Sequence, residues 1–387
     1  MGLVRRAQIA FSEIGCAPRR NDRWYNNRQA FRPRLVHRAI GWLAGEIAKL
    51  MIPKIFVAIA SYADPELPRT LEDCSAMARW PERLRFGICW QQDPDAPIDV
   101  ERFRADERFR FIDRTVHESR GGPWARNLAQ SLWRGEAYTL QVDSHMKFEP
   151  DWDARLIEML EALPAAKPII SMNAPLFHYD DKGVLQRRFD MGVPTTRVSG
   201  WDEHSGWAPW FDFGKPNSQR PGRTRFVNGN FAFSRGQWNV EVPQDPDHYY
   251  WGEEFNITVR SFTWGYDLFL PNEVVAWHML HRKAPPRRHW EHGEAVVQER
   301  NKIAFQRLHR LIYSDEGHTL GPFSLGRSRS VRDYEIYAGF DFHNKRAHPD
   351  VFTGANPDPV TLRSHADWAR CITLEQARAQ GFASSPR

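Results

Sequence analysis

The sequence predicts an α/β fold with a largely parallel sheet covered by helices, and two observations carry this prediction. Short apolar runs alternate with helical stretches between residues 55 and 172. The first of these runs, Ile55 to Ala60, is continuously apolar, which is typical of a strand covered on both faces. Because strands that alternate with helices usually pair in parallel, we expect one open sheet with helices on both sides.

The remaining elements follow from the same alternation. In chain order, the pattern predicts a helix to Met77, strands over Leu84–Trp90 and Phe109–Ile112, a helix over Pro123–Trp133, a strand over Ala137–Val142, a helix over Trp152–Leu163 and a strand over Ile169–Met172. Residues 176–225 contain many Gly, Pro and Trp residues and are predicted to be a long functional loop. Beyond this loop we expect strands over Phe226–Phe233, Tyr266–Leu270 and Val274–His278, a helix over Glu254–Thr263 and a basic helix from Pro285 to Ile312.

These elements divide the chain into three segments. Residues 1–52 are predicted to be an N-terminal extension with an amphipathic helix, because apolar residues recur there at spacings of three and four. Residues 53–285 form the main α/β domain. Residues 286–387 are expected to be a helical segment and tail packed on that domain.

Composition excludes several classes of protein. The chain has 387 residues and a net charge of +5, with 53 basic and 48 acidic residues interspersed, which favours a mixed surface over nucleic-acid binding. The small basic excess suits an anionic ligand such as a diphosphate. The 4 Cys are scattered, so a CxxC-type zinc site is not expected. We find neither a transmembrane run nor a secretory signal, and therefore expect a cytoplasmic protein.

The segment Asp143-Ser144-His145 directly follows the strand predicted over Ala137–Val142. Ligands of open α/β sheets bind at the carboxyl ends of strands. Two residues apart in an extended chain, Asp143 and His145 would point the same way, and both can bind a divalent metal whose shell a diphosphate would complete. Taken alone, the triplet is better explained by a polar turn that caps the strand.

An ordered set of motifs between residues 54 and 345 favours the metal-site interpretation of this triplet over the polar turn. They are Ile55 to Tyr62 with Asp64-Pro65-Glu66, Gly87 to Gln91, Gly122 to Arg126, Leu140 to Phe148, Trp152-Asp153, Gly252-Glu253-Glu254, Gly265-Tyr266-Asp267, Trp277-His278, Asp333-Tyr334-Glu335 and Gly339 to Phe342. Together they resemble the hydroxyproline N-acetylglucosaminyltransferases that modify a subunit of a cytoplasmic ubiquitin ligase in protists, together with their bacterial relatives. The polypeptide GalNAc-transferases, which are more distantly similar, use the same Asp-Ser-His form.

The resemblance implies a GT-A fold, a Rossmann-like mixed sheet flanked by helices, with a helical and irregular C-terminal extension. It implies transfer of a sugar from a UDP-sugar donor to a hydroxyl with retention of configuration, with UDP-GlcNAc as the first candidate and UDP-GalNAc and UDP-glucose left open. The acceptor in the family is hydroxyproline on a protein, and a glycan or small-molecule acceptor is equally open for this sequence. The resemblance also implies a divalent cation, Mn²⁺ or alternatively Mg²⁺. Asp143, His145 and His278 would bind this cation, with His281 as the alternative to His278.

The resemblance also places residues around the nucleotide. Tyr62 would stack on uracil and Asp64 would accept hydrogen bonds from uridine, whereas packing is an equally good account of Tyr62. Four basic residues are candidates for contacts to the nucleotide or its diphosphate, and the planar guanidinium of arginine suits phosphate particularly well. They are Arg120, which we favour, Arg126, whose alternative is an ion pair on the helix surface, and Arg282 and Lys283, whose alternative is a solvated surface position. The other residues predicted to line the donor site are Ala60, Ser61, Gln91, Ser144 and Asn230.

The resemblance further implies that a carboxylate holds the hydroxyls of the donor sugar or the acceptor. The candidates are Glu253 and Glu254, with Asp267 ranked below them, and Trp251 would form an apolar wall for the sugar. The plainer interpretation of the adjacent glutamates is helix capping, since carboxylates are stabilised at a helix N-terminus.

Two further functions fit the same residues. The chain could be a metal-dependent hydrolase of a nucleotide-sugar or phosphoester, with Glu253 as the base that activates water. It could also be a non-catalytic sugar- or nucleotide-binding protein that uses its aromatic residues, which make up 13% of the sequence.

Overall fold

A computed structural model describes residues 53–188, 192–202, 206–215, 220–279, 293–357 and 362–383. From Pro53 onward these residues belong to one compact unit. The N-terminal amphipathic helix predicted within residues 1–52 lies outside the described residues.

The strands, in chain order, are β1 (Ile55–Tyr62), β2 (Leu84–Gln92), β3 (Phe109–Thr115), β4 (Tyr138–Asp143), β5 (Met146–Phe148), β6 (Pro168–Ser171), β7 (Leu176–Tyr179), β8 (Leu185–Arg187), β9 (Val193–Asp202), β10 (Gly206–Lys215), β11 (Gly222–Arg223), β12 (Phe231–Arg235), β13 (Asp267–Leu270), β14 (Ala276–Met279), β15 (Phe340–Asp341) and β16 (Arg346–Ala347). The helices are α1 (Leu67–Met77), α2 (Glu101–Arg104), α3 (Gly122–Gln130), α4 (Trp152–Glu161), α5 (Trp238–Glu241), α6 (Glu253–Thr263), α7 (Glu294–Tyr313), α8 (Val331–Ala338), α9 (Pro349–Thr353), α10 (His365–Ala369) and α11 (Leu374–Ala379).

Eight strands form the central sheet in the order β11-β13-β6-β12-β4-β1-β2-β3. Strands β3, β2, β1 and β4 pair in parallel, as the βα alternation predicts. Strand β12 is antiparallel to both β4 and β6, so the sheet is mixed. The predicted mixed α/β sheet with flanking helices is confirmed, and the GT-A type stays what the resemblance of the motifs implies.

Strand β1 shows why helices cover both faces of the sheet. Alternate residues of a strand point to opposite faces. Val57 and Ile59 belong to the apolar cluster that includes residues of α1 and α4. Phe56 and Ala58 belong to a second cluster, which includes Trp124 of α3. Because both faces are buried, the strand carries the continuous apolar run that identified it in the sequence.

A smaller sheet of four strands has the order β5-β14-β7-β8. Strand β14 lies antiparallel to β5, with His278 opposite Met146, and parallel to β7, with His278 opposite Leu176. This pairing places the end of β14 beside the segment that follows β4.

The prediction of a loop over residues 176–225 is wrong. Within it the structure has β7, β8 and β11, together with the antiparallel pair β9 and β10. The pairing puts Trp207 opposite Trp201 and Asp212 opposite Thr195. Aromatic and β-branched residues favour strands, and this preference outweighs the Gly and Pro residues that suggested a loop.

Several predicted bounds also shift. The strand expected over Phe226–Phe233 begins only at Phe231, because Asn228 and Phe231 form an isolated bridge around a turn. The strand expected to begin at Val274 begins at Ala276 and ends at Met279.

The C-terminal region packs on the sheet through aromatic residues of α8 and its neighbours. The hydroxyl groups of Tyr334 and Tyr337 donate hydrogen bonds to the main-chain carbonyls of Arg225 and Thr224, at 2.9 and 2.6 Å. Tyr334, Phe340 and Phe342 share an apolar cluster with α6 residues. Among the helices described, none is long and apolar enough to cross a membrane.

Candidate active site

Asp143 is the last residue of β4 and lies opposite Ala60 of β1 in the parallel register. The two neighbouring strands therefore end at the same edge of the sheet. Ser144 and His145 follow in the short connection to β5. The structure thus places the segment at the carboxyl end of two parallel strands, where ligands of open α/β sheets bind.

Three side chains meet at this edge. Asp143, His145 and His278 each offer a ligand atom, and these atoms all lie within 4.8 Å of one another. Nε2 of His278 is 3.3 Å from Oδ2 of Asp143, and the two imidazole rings have centroids 4.6 Å apart. The pairing of β14 with β5 is what brings His278 here, and the amide of Met279 donates to the carbonyl of His145 at 3.1 Å.

The chemistry of these three groups fits a divalent cation. Two imidazole nitrogens and one carboxylate oxygen form a mixed donor set that suits first-row metals. Ligand atoms of one ion, at bond lengths of about 2.1 to 2.3 Å, lie roughly 3 to 4.5 Å apart. The observed separations, up to 4.8 Å, approach that range, so a small inward movement of the side chains would complete the set.

Arg126 joins the cluster to the helix α6. Its Nη2 donates to Oδ1 of Asp143 at 2.8 Å, and its Nη1 donates to Oε1 of Glu253. The side chains of Arg126 and Glu253 are only 12% and 8% exposed, so this bridge is largely shielded from water. Burial by itself would raise the pKa of Asp143, but the Arg126 charge and His278 hold that pKa well below its usual range.

Gly229 makes room for the bridge. A Cβ added there would lie 2.8 Å from Nη1 of Arg126 and 2.9 Å from Oε1 of Glu253, so the ends of both side chains would have to shift. The carbonyl of Gly229 accepts a hydrogen bond from Nε2 of Gln141 at 2.9 Å, which fixes the turn against β4. The next residue, Asn230, donates through Nδ2 to Oδ1 of Asn173.

Asp64 lies beside His145 and is almost fully buried. Its Oδ2 is 2.8 Å from Nδ1 of His145 and accepts a hydrogen bond from Oγ of Ser144 at 2.5 Å. Its Oδ1 accepts from the amide of Glu66 at 3.0 Å. The loop after β1 is therefore bonded to the segment after β4.

The N-terminal end of α6 carries a half-buried carboxylate, Glu254, and is preceded by an exposed aromatic residue, Trp251. Glu254 is half-buried, and burial raises its pKa, as does the charge of Asp143, while Arg126 opposes the shift. Trp251 precedes the helix and is 59% exposed, with its ring 5.2 Å from that of Tyr250 in an edge-on arrangement. An exposed aromatic face therefore lies close in sequence to the buried carboxylate of Glu253 and the half-buried carboxylate of Glu254.

Not every predicted residue enters this cluster. Arg120, the favoured cation, is exposed, whereas Arg126 makes the contact with Asp143. Asp267 is at the start of β13, opposite Pro168, at the other end of the sheet from Asp143, and it binds Arg329 at 2.8 Å. Asp267 is thus wrongly predicted for this cleft, because its sequence motif gave no information on which end of the sheet it occupies.

The residues predicted around the nucleotide base have mixed positions. Gln91 is buried, and its Nε2 donates to the carbonyl of Ser61 at 3.1 Å, while Tyr62 is half-buried opposite Gln91 in the β1–β2 register. His281, Arg282 and Lys283 lie outside the described residues. Asn173 was missed, although it follows the strand predicted over Ile169–Met172 and the strand-end rule could have identified it.

A protein-family model described as Glycosyltransferase (GlcNAc) matches residues 54–102 and 93–344. These two ranges contain every described residue of the cluster around Asp143. No curated protein matches the sequence significantly.

Solved structures show weaker likenesses. A crystal structure of GalNAc-T7 with UDP, GalNAc and Mn²⁺ is 12% identical, with a TM-score of 0.49 over 69% of this chain and 49% of that one. The chain thus spans about half the length of GalNAc-T7. Structures of S. aureus TarS 1-349, alone and with UDP-GlcNAc, are each 13% identical over 85% of this chain and 92% of theirs, with TM-scores of 0.38 and 0.37. At this level of likeness, a shared substrate or chemistry does not follow.

Proposed function

We propose that this chain, which belongs to the Glycosyltransferase (GlcNAc) family, transfers GlcNAc from UDP-GlcNAc to a hydroxyl acceptor in a metal-dependent reaction. The observation that carries the proposal is the convergence of Asp143, His145 and His278 at the carboxyl edge of the sheet. A divalent cation bound there, with Mn²⁺ the first candidate, would neutralise the charge that develops on the departing diphosphate.

Arg126 prepares Asp143 for this role. Because the guanidinium holds the pKa of Asp143 low, the carboxylate is ionised throughout the neutral range. Arg126 engages Oδ1, and Oδ2 faces His278. One carboxylate thus has one oxygen fixed by a cation of the protein and the other directed at the proposed metal site.

The contacts of Glu253 argue against its use as a general base. Its Oε1 accepts from Arg126, and the side chain is buried. In the proposed transfer the bond between the anomeric carbon and the phosphate oxygen breaks, and a bond to the acceptor oxygen forms. The acceptor proton passes to the departing phosphate on the same face, so the configuration is retained and no dedicated base is needed.

The donor step can be tested by release of UDP. We expect UDP-GlcNAc to give UDP faster with Mn²⁺ and acceptor together than with either alone, and EDTA to stop the reaction. Asp143→Ala should remove turnover while the circular dichroism spectrum is unchanged, whereas Asp95→Ala, at an exposed loop position, should remain active. Near-normal transfer by Asp143→Ala would refute the metal assignment.

The same assay separates the competing functions. UDP or GlcNAc phosphate formed at the same rate without acceptor would indicate a hydrolase, and binding without product would indicate a binding protein. The resemblance of the motifs to hydroxyproline-modifying enzymes makes a hydroxyproline peptide the first acceptor to try, with the matching proline peptide as its control. An α-linked product, identified by its anomeric NMR coupling, would support retention.

A further inference from the structure

We infer that Asp64 is a positioning residue for the proposed metal site, fixing the ring of His145, and is not a contact to uridine. This inference rests on the proposed function, since it concerns the same site. It replaces the role that the sequence motif suggests for Asp64, and it follows from what the carboxylate contacts.

Both oxygens of Asp64 are engaged by the protein. Oδ1 accepts the amide of Glu66, and Oδ2 accepts Oγ of Ser144 and contacts Nδ1 of His145, at 3.0, 2.5 and 2.8 Å. The residue is 1% exposed. A ligand in the cleft would have to displace one of these bonds to reach the carboxylate, whereas the imidazole of His145 is already in contact.

The contact selects one form of the imidazole. Both Asp64 oxygens accept hydrogen bonds from other groups, Oδ1 from the amide of Glu66 and Oδ2 from Oγ of Ser144, so Nδ1 of His145 is assigned as a further donor to Oδ2 and carries the hydrogen. Nε2 then keeps its lone pair and is the ligand atom that His145 offers to the proposed metal site, which is how metal-binding histidines are commonly oriented by a neighbouring carboxylate. Asp64 therefore decides which nitrogen of His145 faces the proposed site.

The main chain on either side of His145 is fixed as well. Oγ1 of Thr70 donates to the carbonyl of Ser144 and accepts from the amide of Met146, both at 2.9 Å. With the backbone held by α1 and the ring held by Asp64, the imidazole has one position. Thr70 and Asp64 belong to consecutive segments of the chain, so the loop after β1 and the start of α1 act together.

The test is the affinity of the metal-free protein for Mn²⁺, measured by calorimetry without any nucleotide. In Asp64→Asn the amide nitrogen can occupy the place of Oδ2 and donate to Nδ1, which moves the hydrogen of His145 to Nε2. We expect the dissociation constant for Mn²⁺ to rise about 10- to 100-fold. Binding of UDP in EDTA should be unchanged, because the inference gives Asp64 no contact with the nucleotide.

A double-mutant cycle distinguishes positioning from general damage. In a His145→Ala background, Asp64→Asn should change Mn²⁺ affinity by less than about twofold, because the ring that it orients is gone. If the two substitutions are instead additive, the inference is wrong. Should Asp64→Asn fail to fold, Ser144→Ala, which removes the other side-chain donor to Oδ2, should weaken Mn²⁺ binding a few fold, and unchanged binding would overturn the inference.

The inference and the proposed function fail in different ways. If the wild-type protein binds no Mn²⁺ and transfers no sugar, the proposed function itself is wrong. If the wild type does both, and Asp64→Asn weakens metal-free UDP binding while Mn²⁺ affinity stays the same, only the role of Asp64 is wrong.

Discussion

Replacing Arg126 by methionine should destabilise the protein strongly in the absence of metal. The guanidinium lies 2.8 Å from Asp143 and also binds Glu253. At that distance and an effective dielectric constant of about 20, the attraction to one carboxylate is roughly 6 kcal/mol, and desolvation offsets part of it. Removal of one partner of a buried pair typically costs about 3–5 kcal/mol, and we expect the free energy of unfolding at pH 7 to fall by that amount.

The loss in free energy of unfolding caused by Arg126→Met should depend on pH, and the direction of this dependence follows from the pKa of Asp143. In the wild type the folded pKa of Asp143 is lowered, so its stabilising contribution is complete above the unfolded pKa of about 3.9 and is lost only below it. Without Arg126, burial is opposed only by His278 and His145, and we expect the folded pKa of Asp143 to rise above its unfolded value. The variant is then destabilised as pH rises through that pKa, so the difference from wild type should be larger at pH 7 than at pH 4.5.

Urea denaturation followed by tryptophan fluorescence, in EDTA, measures both effects. Arg79→Met is the matched control, because its ion pair with Asp151 is 52% and 46% exposed and should be worth less than about 1 kcal/mol. The reasoning is refuted if Arg126→Met loses no more stability than Arg79→Met. It is also refuted if the deficit of Arg126→Met is the same at both pH values.

Three further outcomes are expected. Gly229→Ala should greatly reduce transfer in the UDP-release assay, since its Cβ would lie 2.8 Å from Nη1 of Arg126. Gly122→Ala is the control and should be nearly neutral, because the nearest contact of its Cβ would be 3.8 Å. Equal activities of the two variants would contradict this. Tyr337→Phe should lower the free energy of unfolding by about 1–2 kcal/mol, because a buried carbonyl loses its hydrogen bond, and unchanged urea midpoints would count against it. Burial lowers the pKa of His248 to about 4. The free energy of unfolding should therefore fall by roughly 3 kcal/mol between pH 7 and pH 4 because of this residue alone. In His248→Gln the free energy of unfolding should fall correspondingly less over the same pH range.

The sequence was sufficient to predict those features that depend only on neighbouring residues, such as an apolar strand and the polar residues that directly follow it. The run Ile55 to Ala60 is apolar throughout because both faces of β1 are covered, and a strand of that kind can be recognised without its partners. Asp143 and His145 were identifiable because they follow such a strand directly, and the resemblance of the surrounding motifs added His278.

The rest depended on pairings between distant segments. Arg126 contacts Glu253, which is 127 residues away in the sequence. Nothing in the sequence near Arg126 or Glu253 favours Arg126 over Arg120 as the cation of this site. Asp64 could be placed after the first strand, but its contact with His145 depends on how two loops meet. Asp267 was misplaced because a motif does not tell at which end of a sheet its strand begins.

The position of β14 has a consequence for the order in which the protein matures. His278 reaches Asp143 only after β14 has inserted between β5 and β7. Because β5 and β14 are far apart in the sequence, loop closure opposes their pairing, and we expect this pairing to form late. A nascent chain that ends before β14 carries two of the three groups but lacks the third. The proposed Mn²⁺ site would thus be complete only once β14 has paired with β5 and β7, so binding of the ion would report that this smaller sheet has formed.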